Sequence, residues 1–235
     1  MDWFLDHLDD VASLFATHAV LAVVPLVIGL VVALPLGWLA QRHRGLYTPL
    51  VAASGLLYTI PSLALFILMP LFLGTGILDP LNVVVALTLY TIALLVRTVA
   101  DALASVPDQV VQSATAMGIG PVRRFFTVEL PLAVPVIAAG LRVAAVSNVS
   151  IVSVAALIGV SQLGSLFTDG FARSFLDPIV VGIIACLVLA IALDLLIVAA
   201  GWLLTPWSRG AGARRSVARG SATRGAGRAR QGAGA

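Results

Sequence analysis

The sequence contains no lysine, a single cysteine and few charged residues of any kind. Charged residues make up 11% of its 235 positions, whereas soluble domains carry roughly 25%. Because Cys186 is the only cysteine, the chain can form neither an intrachain disulfide nor a cysteine metal cluster. The three histidines, His7, His18 and His43, lie near predicted helix ends and lack ligand spacing. With 60% hydrophobic residues, this balance predicts an integral membrane protein.

The charges that remain are separated by long apolar runs. Charge-free runs lie between Asp10 and Arg42, between Arg44 and Asp79, and between Arg142 and Asp169. Each is longer than the ~20 apolar residues that a helix needs to cross a bilayer, and they lack the ~10-residue alternation of a β-barrel. We therefore predict an all-α polytopic membrane protein with about five transmembrane helices, at residues 17–40, 47–73, 81–100, 132–158 and 177–203. The second is expected to be one helix kinked at Pro61.

Arginine placement predicts the orientation, since cytoplasmic loops are enriched in Lys and Arg. With the N-terminus outside, the inner side receives Arg42, Arg44, Arg97, Arg123 and Arg124, and the outer side receives most of the aspartates. We predict N-out, C-in topology in a bacterial cell membrane. The acidic stretch "MDWFLDHLDD" argues against a cleaved signal peptide.

Three regions follow from this topology: an extracytoplasmic segment (1–16), a transmembrane domain (17–205) and a disordered cytoplasmic tail (206–235). The tail consists mostly of Arg, Gly, Ala and Ser and has almost nothing to bury. Its arginines either contact anionic lipid or remain solvated without a specific ligand, and the second interpretation is favoured.

One polar stretch, residues 101–130, interrupts the apolar runs on the predicted cytoplasmic side. "VPDQVVQSATAMG" predicts a short helix, with Pro107 and Asp108 in its first turn and Gly118 as its C-terminal cap. "GIGP" then predicts a turn, and "VRRFFTVE" a second short amphipathic segment. We expect a docking element for another protein, built from small surface residues (Ala114, Ala116, Gly118), rim charges (Arg123, Arg124) and aromatic anchors (Phe125, Phe126).

This stretch resembles the cytoplasmic "EAA" loop of ABC importer permeases: E-A-A, three residues, G, nine residues, I, one residue, L-P. The matching positions hold Gln112-Ser113-Ala114, Gly118, Val128 and Leu130-Pro131, so Gln, Ser and Val replace the family's Glu, first Ala and Ile. The resemblance implies a coupling helix that sits in a cleft of a separate ATP-hydrolysing subunit. The residues it assigns to coupling are Gln112, Ser113, Ala114, Met117, Gly118, Ile119, Gly120, Pro121, Arg123, Leu130 and Pro131.

A wider resemblance covers about residues 15–205. "YTIPSLALFILMPLFLGTG", "GIGPVRRFFTVELPLAVPVIAAGLR" and "ALIGV" resemble the permeases of osmoprotectant importers, which carry glycine betaine, choline or carnitine. Many such relatives have a "GGGGLG"-like stretch where this chain has "GVSQLG". The resemblance implies ATPase subunits that hold ATP and Mg, a second permease subunit (identical or paralogous) and an extracytoplasmic substrate-binding protein. It implies no cofactor on this chain and no nucleic acid. A permease for another small solute, such as an amino acid, is the alternative.

Polar groups inside the spans are candidates for a translocation path, because intramembrane polar groups usually face the bundle interior or a water-filled cavity. The candidates are Tyr58, Thr59, Pro61, Ser62, Tyr90, Ser147, Asn148, Ser150 and Ser153. Helix packing is the alternative role for the serines, and a static kink rather than a gate hinge is the alternative for Pro61. Tyr90 and Thr91 are expected to face Tyr58.

Arg142 lies deep in the fourth span, where an arginine is costly unless it is paired or hydrated. Asp194 in the fifth span is the expected partner. We favour a pair that fixes helix packing over a contact with substrate.

Other classes of function fit the sequence less well. The chain has no GxxxxGK[ST] phosphate loop, so any ATPase must be another polypeptide. A stand-alone secondary transporter would show internal repeats, and an intramembrane enzyme would show a motif such as HExxH or GxSxG. Both alternatives leave residues 112–131 unexplained. We therefore predict a non-enzymatic permease subunit.

Overall fold

The computed structural model describes residues 2–208, and the regular structure in that range is entirely helical. The α-helices are α1 (Asp2–Asp6), α2 (Leu8–Arg42), α3 (Arg44–Thr59), α4 (Ser62–Leu73), α5 (Pro80–Ala104), α6 (Asp108–Ala116), α7 (Pro121–Arg124), α8 (Leu130–Val154), α9 (Ser165–Ala172) and α10 (Leu176–Leu204). A π-helical turn (Phe125–Glu129) joins α7 to α8, and 3₁₀ turns occur at Ala155–Ile158 and Pro206–Ser208. The predicted tail lies outside the described residues from position 209 onward.

Five crossings agree with the prediction when one broken pair is counted as a single span. Four helical stretches are long and apolar enough to cross a membrane: Leu8–Arg42, Pro80–Ala104, Pro121–Ile158 and Leu176–Leu204. The first begins at Leu8, earlier than the predicted residue 17, and Asp9 and Asp10 in its first turn suit the positive end of the helix dipole.

The expected single helix across Pro61 is wrong. Helices α3 and α4 meet there at a bend of 103°. Ile60 and Pro61 have extended backbone angles (ψ 130° and 131°), because a residue before proline is pushed out of the α region and proline has no N–H for the helical ladder. The chain therefore breaks at this point, where the sequence suggested only a kink.

The close contact between α2 and α5 forms the centre of the bundle. The α2 residues buried on this side are mostly small: Ala22, Gly29, Ala33, Gly37 and Ala40. A Cβ atom added to Gly37 would lie 2.6 Å from Val99 Cγ1 and 3.1 Å from the backbone nitrogen of Ala100. Small residues allow helix backbones to approach closely in membranes, where dispersion contacts hold helices together.

A buried polar network crosses this core. His18 is fully buried within α2, away from the helix end where the sequence analysis located it. Its ring nitrogens lie 2.9 Å from Gln162 Oε1 and 3.0 Å from the Val149 carbonyl oxygen. Gln162, which occupies the "GVSQLG" segment, also accepts a hydrogen bond from the backbone of Gly164 at 2.5 Å. This network ties the loop after α8 to α2.

Substitution of Gly37 tests the α2–α5 contact. Gly37→Val should lower the stability of the detergent-solubilised protein by about 1–3 kcal/mol, as overpacking does in cores, because the new side chain meets Val99. Gly55→Val is the matched control, since a Cβ there meets nothing within 4 Å. The readout is the thermal unfolding midpoint in detergent. Equal midpoints for the two variants would contradict this account of the core.

Candidate functional site: a docking helix and a polar path

The short helix predicted within "VPDQVVQSATAMG" is present as α6. Asp108 occupies its first turn, as predicted, while Pro107 is the N-cap residue rather than part of the first turn. Gly118 follows the helix with a φ of +78°. The Gly118 N–H donates to the Thr115 carbonyl oxygen at 2.9 Å, and the Ile119 N–H donates to that of Ala114 at 3.2 Å. These two bonds make a Schellman motif, which confirms the cap at Gly118.

The exposed face of α6 differs from the predicted one at Ala114. That residue is only 2% exposed and faces the chain itself, so its expected place on the surface is wrong. The exposed residues of this segment are Gln112, Ser113, Thr115, Ala116, Met117, Gly118, Gly120 and Pro121. Met117 stands out because it is 72% exposed. The surface therefore combines small residues with one flexible apolar side chain, a composition that suits a protein contact.

The second short segment is not separate from the membrane span. Helix α7, the π-helical turn and α8 run on without a break as one helical stretch, Pro121–Ile158. Leu130 and Pro131, both half-buried, lie at the start of α8. A displacement of this segment is therefore a displacement of the base of α8.

The two phenylalanines of the segment have different environments. Phe125 is 6% exposed and packs with Val99, Leu103 and Ala133, as expected of an anchor. Its ring centroid lies 5.5 Å from that of Trp38. Phe126 is 60% exposed and does not anchor the segment to the bundle.

The two arginines are likewise not equivalent. Arg123 is exposed, as a rim charge should be. Arg124 instead makes an ion pair within the chain: its Nε donates to Glu129 Oε1 at 2.5 Å, and its Nη1 donates to Thr115 Oγ1 at 2.6 Å. The sequence analysis missed this pair because the spacing of five residues is unfavourable on an α-helix. It becomes favourable where the backbone is π-helical.

Aromatic residues meet at the break between α3 and α4. The ring centroids of Tyr58 and Tyr90 are 5.7 Å apart and the rings are nearly perpendicular, so the expectation that they face each other is confirmed. The Tyr90 hydroxyl donates to the Ile60 carbonyl oxygen at 2.5 Å. Thr59 and Pro61 are exposed beside the break and Ser62 is half-buried.

Thr91 does not join the tyrosine pair, because it faces Asn148 inside the bundle. Asn148 is 2% exposed, and its Nδ2 donates to Thr91 Oγ1 at 3.1 Å and to the Ala22 carbonyl oxygen at 3.2 Å. Asn148 thus links three helices, on the side of α8 away from Ser150. Of the three path serines, Ser150 is exposed and the other two, Ser147 and Ser153, are half-buried.

Arg142 and Asp194 form the expected ion pair. The Arg142 Nε and Nη2 atoms donate to the two carboxylate oxygens of Asp194 at 2.5 and 2.8 Å. Both residues lie well inside their apolar helices. Their side chains nevertheless remain 45% and 27% exposed on the surface of the single chain. The pair therefore lies at an edge of the contact between α8 and α10.

These features define a class: a polytopic helical membrane protein that presents an exposed helix between two of its spans. The chain belongs to the family of binding-protein-dependent transport system inner membrane components, whose model matches residues 26–201. It is therefore a membrane permease subunit, a class of subunit that is not itself catalytic.

Individual relatives agree with this membership. The chain is 38% identical to the osmoprotectant import permease protein OsmW of Salmonella typhimurium, over 87% of this chain and 96% of the relative. It is 31% identical to the glycine betaine/carnitine/choline transport system permease protein OpuCD of Bacillus subtilis, over 80% of each. Among solved structures it resembles an inward-facing form of the MetNI methionine ABC transporter, with a TM-score of 0.73, 20% identity and coverage of 80% of this chain and 93% of that chain. The structural likeness shows the fold alone.

Replacing each phenylalanine tests which of them holds the base of α8. Phe125→Ala should cost about 3–5 kcal/mol of stability, as deletions of buried aromatic rings do, whereas Phe126→Ala should stay within about 0.5 kcal/mol, as surface changes do. The thermal midpoint of each purified variant in detergent is the measurement. A larger loss for Phe126→Ala would show that the burial of the two rings is reversed.

Proposed function

We propose that this chain forms the translocation pathway of an ATP-driven importer for quaternary-amine osmoprotectants such as glycine betaine, choline or carnitine. The observation that carries the proposal is the exposed, Gly118-capped helix α6, which has the spacing of the EAA loop and is followed directly by the base of α8. The names of OsmW and OpuCD support the choice of cargo. In this proposal ATP and Mg are held by separate ATPase subunits.

In this proposal the surface of α6 binds the ATPase through its shape rather than through charge. Gln112 replaces the family glutamate and carries no charge, so an ion pair at that position is absent. The neighbouring small side chains, Ser113, Ala116 and Gly118, leave the α6 surface open to close approach, and the exposed Met117 offers an adaptable apolar contact. Arg123 supplies positive charge at the rim.

A second permease subunit is supported by the Arg142–Asp194 pair. Charged side chains at this depth of a helix are costly in contact with lipid and almost always face a bundle interior or a water-filled cavity. Within the described residues the pair is partly uncovered, so another surface or an aqueous path must adjoin α8 and α10. A second copy or a paralogue that packs here supplies the missing surface, and it also supplies the aqueous path, since the path then lies between the two subunits.

The path itself is assigned to the break between α3 and α4 and to the uncovered side of α8. Tyr58 is 43% exposed, and Ser150 is exposed as well. A tyrosine face attracts quaternary ammonium groups, but two rings make no enclosed cage. We therefore assign the main selectivity to an extracytoplasmic binding protein. The ergothioneine transport permease/ergothioneine binding protein EgtU of Helicobacter pylori, of which the aligned region covers 22%, joins both activities in its name.

A charge introduced on α6 tests the docking. Gly118→Asp adds a carboxylate and a side chain at a positive φ in the centre of the proposed contact, so we expect the ATPase subunit to be lost from the purified complex. Gly45→Asp is the matched control, because Gly45 also has open space around it and lies on another helix. Retention of the ATPase by Gly118→Asp in wild-type amount would contradict the docking assignment.

Uptake identifies the cargo. Cells that lack this gene are complemented with wild type or Gly118→Asp and given labelled glycine betaine, choline or methionine at low and high osmolarity. We expect the wild type alone to restore uptake of a quaternary amine. Restoration of methionine uptake only would replace the osmoprotectant assignment by amino-acid transport.

A further inference from the structure

Helix α6 has little contact with the rest of the bundle except through one short segment. Within the described residues it packs mainly on α7 and the π-helical turn. Val111 also rests against the apolar cluster around Phe125, and Ser105, Val106 and Pro107 connect α6 covalently to the end of α5. Any force applied to the exposed face of α6 therefore reaches the membrane part chiefly through residues 121–129.

Arg124 joins α6 to the residue before α8 by hydrogen bonds. One of its nitrogens bonds the Thr115 hydroxyl on α6, and another bonds the Glu129 carboxylate directly before α8, at 2.6 and 2.5 Å. The planar guanidinium holds its donors in a fixed arrangement. Such bonds resist sliding and rotation more than the apolar contact of Val111, which also rests against this region, because dispersion contacts have no preferred direction.

Burial strengthens the Glu129 half of this link, whereas the bond from Arg124 to Thr115 is exposed. The Glu129 side chain is 5% exposed and that of Arg124 is 20% exposed. A carboxylate removed from water needs its partner, because an unpaired buried charge is strongly unfavourable. Glu129 also lies in the π-helical turn, a type of helix distortion that is frequent at functional sites. From Glu129 the chain continues directly into α8.

We propose that Arg124 is a positioning residue that fixes the docking helix to the base of α8, so that a displacement of α6 by the ATPase is transmitted to that span. The proposal rests on the ATPase docking proposed above. It assigns to Arg124 and Thr115 a role that the EAA spacing does not assign. Gln112 and Gly118 make the docking contact, and the Thr115–Arg124–Glu129 chain of hydrogen bonds carries the movement onward.

A single reporter cysteine on α8 measures this movement without knowledge of the cargo. Cys186 is the only native cysteine, so Cys186→Ser combined with Ser150→Cys leaves one thiol at an exposed position of α8. The complex with its ATPase subunit is labelled with a charged maleimide, with and without ATP and orthovanadate. We expect nucleotide to change the labelling rate of the reporter complex.

Thr115→Val is the decisive variant, because it removes the hydroxyl from α6 and leaves the Arg124–Glu129 pair intact. We expect it to retain the ATPase but lose the nucleotide-dependent change in labelling, as Arg124→Gln should, and Thr115→Ser should restore the change. Arg97→Gln is the matched control. It removes an arginine from the exposed Arg97–Asp101 pair, with an N–O distance of 3.6 Å, and should keep the change.

The outcomes separate the two proposals. If the wild type binds no ATPase, both the docking proposal and this inference are overturned. If the ATPase binds but Thr115→Val keeps the nucleotide-dependent change, transmission through Arg124 is overturned and docking stands. If only Arg124→Gln loses the nucleotide-dependent change in labelling, the Arg124–Glu129 pair only stabilises the π-helical turn, and transmission from α6 is overturned. Absence of any nucleotide effect in the wild-type background would refute the movement of α8 itself.

Discussion

The close approach of α2 and α5 is the contact on which the other helices depend. Glycine and alanine on α2 bring the two backbones together, and a single added carbon at Gly37 would meet Val99. Helix α5 is the most enclosed of the four unbroken candidate spans, with 56% of its most apolar 18 residues buried. Helices α3, α4 and α8 all pack on it. In a membrane, where lipid competes equally for apolar side chains, such shape matching together with interhelical hydrogen bonds decides which helices associate.

The proposed docking surface on α6 is connected to the α2–α5 core through Phe125. Val99 and Leu103 near the end of α5 pack on Phe125, which in turn holds the base of α8. The segment 121–129 is thus fixed on one side by an apolar cluster and on the other by the Arg124 hydrogen bonds. Helix α6 lies outside this arrangement, exposed and joined to few elements. In the proposed importer this combination suits a helix that another protein moves, because α6 is firmly connected only to residues 121–129.

Much of this architecture follows from the sequence because its causes are local. Charge-free runs predict the spans, Gly118 predicts the end of α6 because glycine readily adopts the positive φ that is found there, and Arg142 requires a partner that Asp194 supplies. The errors concern rotation and tertiary contact. Nothing local decides that Ala114 faces inward or that Asn148 bonds Thr91 while Ser150 stays exposed. The Arg124–Glu129 pair depends on a π-helical turn, which the sequence pattern leaves open. Proline restricts the backbone at Pro61, but the sequence pattern does not decide between a kink and a bend of 103°.

The few charged residues of this chain differ in how far their side chains are buried, and these differences indicate what surrounds each of them. In the described residues the ion pairs form a series: Glu129 is almost fully buried, Asp194 is 27% exposed, and Asp101 is 51% exposed. The buried carboxylate of Glu129 is paired with Arg124 inside the chain. The exposed carboxylate of Asp101 lies near the end of α5, where water is expected. Asp194 fits neither case, since it lies inside an apolar helix and remains partly uncovered. Lipid cannot solvate a carboxylate there at low cost, and this is the physical reason for placing the proposed second permease subunit beside α8 and α10.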